Sequence, residues 1–173
     1  MRSAAELLRE LNSVDESPGI EAKRASGAGK SVLETIIAFA NEPALGGGYL
    51  LLGVERAGPG QAYHAVGVTD PDKLQADLAS QCASQLNQPL RPRMRVESID
   101  GQAVLVVFVA EVPLTDKPVY LRATGLPRGA FRRIGSTDQR CTDDDLWALR
   151  RIDEPQPGFD AKVVEDCTLD ELD

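Results

Sequence analysis

Three groups of residues in this 173-residue chain have types and spacings that could do chemistry. The first is acidic. Glu21 and Lys23 stand two apart in a stretch that alternates apolar and charged residues, so on a pleated strand they project from one face. Metal-dependent nucleases use this E-x-K arrangement to set a metal ligand beside a phosphate-facing amine. Glu16, ahead of the Ser17-Pro18-Gly19 turn, and Glu55, at the end of an apolar run, could complete a trio of carboxylates. Such a trio suits Mg²⁺ or Mn²⁺, hard ions that take oxygen ligands. From spacing alone, Glu16, Glu21, Lys23 and Glu55 read more readily as a solvated strand edge with surface ion pairs, since E-x-K is common by chance.

The second group is Gly27-Ala28-Gly29-Lys30-Ser31, which looks like the end of a phosphate-binding loop. The pattern GxxxxGK[ST] needs glycine at position 24, where this chain has Arg24, so a nucleotide-hydrolysing loop is excluded. What remains is a flexible loop opening a helix. Its free amides, with Lys30 and Arg24 nearby, could hold a phosphate.

The third group is cationic. Residues 117–140 carry Lys117, Arg122, Arg128, Arg132, Arg133 and Arg140 against Asp138 alone, and Arg91, Arg93 and Arg95 form a smaller knot. Arginine offers a planar fork of donors that matches phosphate. The alternative is a solubilising face balanced by acids elsewhere. The total charge of −8 does not decide between them, because residues 153–173 hold a net −7 and leave the remainder at −1. Screening over roughly 8 Å lets a basic face coexist with an acidic tail.

These residues must be positioned by a mixed α/β fold. Ser3 caps a helix with Ala4, Leu7, Leu8 and Leu11 on one stripe. Ile20–Lys23 reads as a strand, and Val32, Leu33, Ile36, Ile37 and Ala40 mark a helix from Lys30 to Asn41, stopped by Pro43. The apolar run 49–54 fits a central strand covered on both faces. A helix is expected at 72–87. A hairpin follows, turning at Asp100-Gly101 with its return strand at 104–109. Further strands are expected at 119–122 and 130–134, and Thr142 caps a last helix faced by Leu146, Leu149 and Ile152. The expectation is one α/β domain of the α+β type over residues 1–152, with a mixed sheet of four to six strands and three or four helices. An acidic linker or tail fills 153–173.

Composition narrows the classes. With 42% apolar and 27% charged residues the chain is neither disordered nor collagenous, and three scattered cysteines make no disulfide scaffold or zinc knuckle. Cys82, Cys141 and Cys167 are read as free thiols. No apolar run nears the roughly 20 residues of a membrane span, and the charged start is unlike a signal peptide. The reading is cytoplasmic, with no membrane partner. His64 is given no chemistry, and Trp147 is placed in the core or an interface.

Several motifs occur in a familiar order. They are Glu16-x4-Glu21-Ala22-Lys23, Ala38-Phe39-Ala40-Asn41, the run Gly46 to Glu55, Pro118-Val119-Tyr120, and Phe131-Arg132-Arg133-Ile134-Gly135-Ser136. Across residues 14–137 the chain resembles the Schlafen AlbA-like domain. The resemblance implies a DNA-binding domain, found at the N-terminus of bacterial transcriptional regulators and divergent AAA proteins. It also implies a further C-terminal effector domain beyond the segment Phe159–Asp173. Eukaryotic Schlafen relatives include RNA-cleaving members with an acidic metal site, and Glu16, Glu21 and Glu55 resemble that trio by position. Ala22 stands where an aromatic is common, and Pro43-Ala44-Leu45 lengthens the stretch before the glycines.

Three functions follow as expectations. The first is a non-catalytic nucleic-acid-binding domain, with DNA as partner, that grips phosphates through Arg122, Arg128, Arg132, Arg133, Lys23, Arg24 and Lys30 and needs no cofactor. The second is a nuclease dependent on Mg²⁺ or Mn²⁺, with Glu16, Glu21 and Glu55 as ligands and Lys23 on the phosphate. The third is a protein-interaction or homo-oligomerisation domain.

Overall fold

The computed structural model describes residues 1–24 and 27–151. Ser3 and Glu6 form a reciprocal capping box that starts α1 (Ala4–Val14), and the stripe Ala4, Leu7 and Leu11 is buried. β1 (Ile20–Lys23) runs parallel to β2 (Gly48–Leu52), with α2 (Lys30–Asn41) as the crossover between them. β6 (Gln102–Val109) pairs antiparallel with β2, and β5 (Arg93–Ile99) pairs with β6, giving the order β1-β2-β6-β5. The hairpin turns at Asp100 and Gly101, with φ of +51° and +77°, the left-handed pair a two-residue turn requires.

The sheet is covered on both faces, which is why Leu50-Leu51-Leu52 is apolar without alternation. Leu50, Leu52, Leu105 and Val107 meet α2 and α3 (Pro71–Ser84) on one side. Leu51, Val104 and Val106 meet α1 and Tyr63 on the other. β3 (Val54–Arg56) leaves the sheet at Gly53, where φ is +90°, and pairs with β4 (Tyr63–Ala65). Gly48 has its own reason, since a Cβ there would lie 2.3 Å from the Phe39 ring. Phe131–Ile134 (β7) and Thr137–Arg140 (β8) make a separate hairpin, and α4 (Asp143–Arg151) follows its Thr142 cap.

One predicted strand is corrected. Residues 119–122 make only isolated bridges, Tyr120 to Ala130 and Leu121 to Leu86. Side-chain amides add to a few backbone bonds, such as Asn87 N–H to Tyr120 O at 3.0 Å, in place of a continuous neighbouring strand. Asn41 at the end of α2 accepts from the Val119 N–H at 2.7 Å and donates to the Val119 and Phe131 carbonyls at 2.8 and 3.0 Å. Asn87 accepts from the Tyr120 N–H at 2.8 Å. The sequence reading also lacks β4 and β8 as strands, and it takes Val54 into the central strand where the chain turns at Gly53 and starts β3 in a separate sheet. Ile152 and the expected tail at 153–173, with Cys167, lie outside the described residues. Among the described residues no helix is long and apolar enough to cross a membrane.

Replacing Asn41 by Ala removes three buried hydrogen bonds at once and leaves a backbone N–H and two carbonyls short of partners. A loss of about 3 kcal/mol in urea unfolding is expected; a loss within experimental scatter would show that water takes over the role.

Candidate functional site

The face of β1 toward α2 carries Glu21 and Lys23, as the strand period requires, and both join a largely buried cluster around Arg133 of β7. Arg133 is 2% exposed. Each of its five N–H groups has an acceptor. Nε donates to Pro18 O at 3.3 Å, and Nη2 to Ser17 O and Ile20 O at 3.2 and 3.4 Å. Nη1 donates to Asp138 at 2.8 Å and to Glu21. The other Glu21 oxygen pairs with Lys23, and Thr35 of α2 donates to Asp138. The guanidinium also lies 5.1 Å from the centroid of the Phe39 ring. The four charges cancel, and the cluster ties β1, α2 and the β7–β8 hairpin together.

The structure does not gather the expected metal trio into one group. Among the described residues no group of three His, Cys, Asp or Glu side chains is placed to hold a metal ion. Glu21 is neutralised by two cations, Glu55 pairs with Arg24 at 3.4 Å, and Glu16 accepts the Ala22 N–H at 3.2 Å. The three carboxylates are thus held on separate partners rather than gathered at one point. Burial, with the nearby Glu21 charge adding to it, pushes the Glu16 carboxyl above its ordinary range.

The expectation of one open arginine face is corrected too. Arg132 makes a fork to both Glu42 oxygens, at 3.2 and 2.9 Å, and reaches Asp145 at 3.0 Å. Burial raises the Asp145 pKa, but the Thr142 bonds and Arg132 outweigh it and hold the carboxyl below its usual range. Lys117 is fully enclosed on Glu111 at 2.6 Å. Of the six cations at 117–140, Arg122, Arg128 and Arg140 are exposed and have no acidic partner among the described residues.

Two of the singled-out cations do converge. Lys30, in the first turn of α2, and Arg122 line a groove of about 660 Å³ between the start of α2, the end of α3 and the 121–124 segment. Its apolar wall includes Leu33 and Leu121. Gly29 caps α2 without a side chain, so no cap side chain occupies the first amides. Arg122 is anchored by one donation to Leu86 O at 3.0 Å, and Lys30 stands 3.8 Å from Glu34. Arg128 lies in the same tight loop, closed by Leu121 N–H to Gly129 O at 2.9 Å and Gly129 N–H to Gly125 O at 2.7 Å. Gln81 and Gln85 complete the groove. They escaped the sequence reading because polar residues one helical turn apart are the ordinary content of an exposed helix face.

Elsewhere, Asp15 binds Arg56 and accepts from Tyr63 Oη at 2.8 Å, which holds its carboxyl well below the usual range. Cys82 and Cys141 are free and buried, and burial raises their thiols to about 11 and about 12. Trp147 is 59% exposed rather than in the core.

Fold and groove together define a single α+β domain with an open, cation-rimmed cleft at the start of its crossover helix. The family model for Schlafen, AlbA_2 matches residues 16–142, and the chain belongs to that family. The solution structure of the N-terminal domain of a RecG-related protein from Nitrosomonas europaea is 63% identical, with a TM-score of 0.68, over 82% of this chain and 95% of that one. The DIP2311 protein of Corynebacterium diphtheriae, at 18% identity and a TM-score of 0.53, shares the fold over 85% of this chain and 27% of its own. No curated protein matches.

Replacing Arg133 by Met leaves Glu21 and Asp138 without their shared cation in a buried setting. A loss of about 3–5 kcal/mol in chemical unfolding is expected. Glu16→Gln should act in the opposite sense. A carboxyl whose pKa is raised on folding binds its proton more readily in the native state, so it costs stability as pH rises through the folded value. The variant should melt above the parent at pH 7 and match it at pH 4; a gain that is equal at both would assign the effect to packing.

Proposed function

We propose that the chain is a non-catalytic DNA-binding domain whose groove cations, Lys30 and Arg122, bind backbone phosphates with help from the exposed Arg128 and Arg24. The observation that carries this reading is the convergence of two cations, distant in sequence, on one open groove beside an uncapped helix start. Contacts of this kind position a strand without reading its sequence. The relative from Nitrosomonas europaea supports DNA as the polyanion, since its protein is described as related to an ATP-dependent DNA helicase. The finer role is that of a cytoplasmic tether for a transcriptional regulator or similar effector. Arg132, Arg133 and Lys23 are assigned to the fold, because their charges are spent on Glu42, Asp145, Glu21 and Asp138. Binding on these terms needs no cofactor. The nuclease alternative has no comparable support, given how Glu21 and Glu55 are paired.

Fluorescence anisotropy with a labelled oligonucleotide, from about 50 to 200 mM salt, tests this. The slope of log affinity on log salt should fall by about 0.7–0.9 for each phosphate that is no longer neutralised, hence by about 1.5 in Lys30→Ala/Arg122→Ala. Arg132→Ala should lose stability while keeping the parental slope. Equal slopes in the parent and the double variant would remove the reading.

A further inference from the structure

We propose that the groove receives one unpaired nucleotide of a single strand, its base against the apolar wall and its phosphate on Lys30 and Arg122. This deepens the DNA-binding reading and rests on it.

The groove combines three features that a duplex backbone alone would not need. Its volume of about 660 Å³ falls within the roughly 300–1,000 Å³ range of small-molecule clefts, and the groove is open to solvent. Phosphates tracked along a duplex are met by surface cations and call for no cavity. Its wall is mainly apolar, made by Ala28, Ala123 and the edges of Leu33 and Leu121, whose side chains are otherwise packed in the core. A base face gains by leaving water for such a surface, whereas a phosphate does not.

The third feature is the pair of carboxamides. Gln81, in the last turn of α3, and Gln85, the residue that caps it, stand one turn apart, and neither side chain has a hydrogen-bond partner among the described residues. Each offers both a donor and an acceptor, the combination that reads the edge of a nucleobase. In a duplex the pairing edges are already occupied, so only an unpaired base can present both its face to the wall and its edge to the amides. Lys30 and Arg122 supply the charge complement for its phosphate. The two cations also argue against an apolar peptide as occupant, because burying them against it would forfeit their hydration.

The test uses the whole chain and four probes at about 50 mM salt: a single-stranded 12-mer, the same 12-mer as a blunt duplex, an abasic 12-mer with an intact phosphodiester backbone, and deoxyadenosine monophosphate as competitor. The single strand should bind about tenfold more tightly than the abasic strand, the scale expected of one well-seated base. It should also bind more tightly than the duplex. Gln81→Ala/Gln85→Ala should weaken single-strand binding and bring the ratio to the abasic strand toward one, with circular dichroism unchanged. The mononucleotide should compete only at concentrations far above those of the 12-mer. A parental ratio near one, tighter binding of the duplex, or a ratio unmoved in the glutamine variant would overturn the base pocket and leave the phosphate reading standing. Competition by the mononucleotide at the same concentration as the 12-mer would make the site one for free nucleotides and overturn the proposal. Failure of every probe to bind would instead remove the DNA-binding reading itself.

Discussion

One buried guanidinium holds the working half of this domain together. Arg133 enters from a hairpin that is not part of the main sheet, and it finds an acceptor for each of its N–H groups on β1, the turn before β1, and β8. Removing a charge from water is costly unless its donors and its charge are both matched. Here they are matched by Glu21 and Asp138, with Lys23 balancing the second acid. The cluster is thus neutral, satisfied and shared by three elements. It sets where the β7–β8 hairpin lies on α2, and α2 in turn carries the start of the groove.

Charge is sorted by that arrangement. With Arg133 on Glu21 and Asp138, Arg132 on Glu42 and Asp145, and Lys117 on Glu111, three of the six cations in the 117–140 stretch serve to dock segments. The loop bearing Arg122 and Arg128 stands apart. Its backbone is closed by bonds within 121–129 and by the Arg122 N–H to Gln85 O at 2.9 Å. A loop that satisfies its own backbone can hold unpaired cations at a fixed place beside α2 and α3. Ligand groups tend to sit on such loops, supported by a rigid frame.

The main sheet and its helices were legible because each relies on local pattern. α2 begins and ends where the glycine loop and the apolar period put it, at Lys30 and Asn41, and the 93–109 hairpin turns at the Asp-Gly pair. The uninterrupted apolar run at 50–52 called for cover on both faces, and α1 on one side and α2 with α3 on the other supply it. Legibility fails where side chains replace backbone pairing. Val119 and Tyr120 have strand-like composition, yet their partners are the amides of Asn41 and Asn87, 78 and 33 residues away, and no local period records this. β8, Thr-Asp-Gln-Arg, has no apolar residue to alternate, so nothing in its composition marks it as a strand.

The candidate site was legible only in part for a related reason. Arginine composition counts charges without saying which have been spent. Adjacent residues on a strand face opposite ways, and in β7 both Arg132 and Arg133 still end on carboxylates, one half-buried and one enclosed. The acids that meet them, Glu42, Asp145, Glu21 and Asp138, come from separate stretches of the chain, so the neutralisation is a property of the tertiary fold. Lys30 and Arg122 are the converse case: they are 92 positions apart, each unremarkable in its own segment, and the crossover brings both to one groove. A cation is available to a polyanion where the fold leaves it exposed and without a close, buried acid partner. On that criterion the arginine-rich strand is framework, while the neighbouring loop and the helix start, where Lys30 keeps only an exposed 3.8 Å pair with Glu34, are the proposed binding surface.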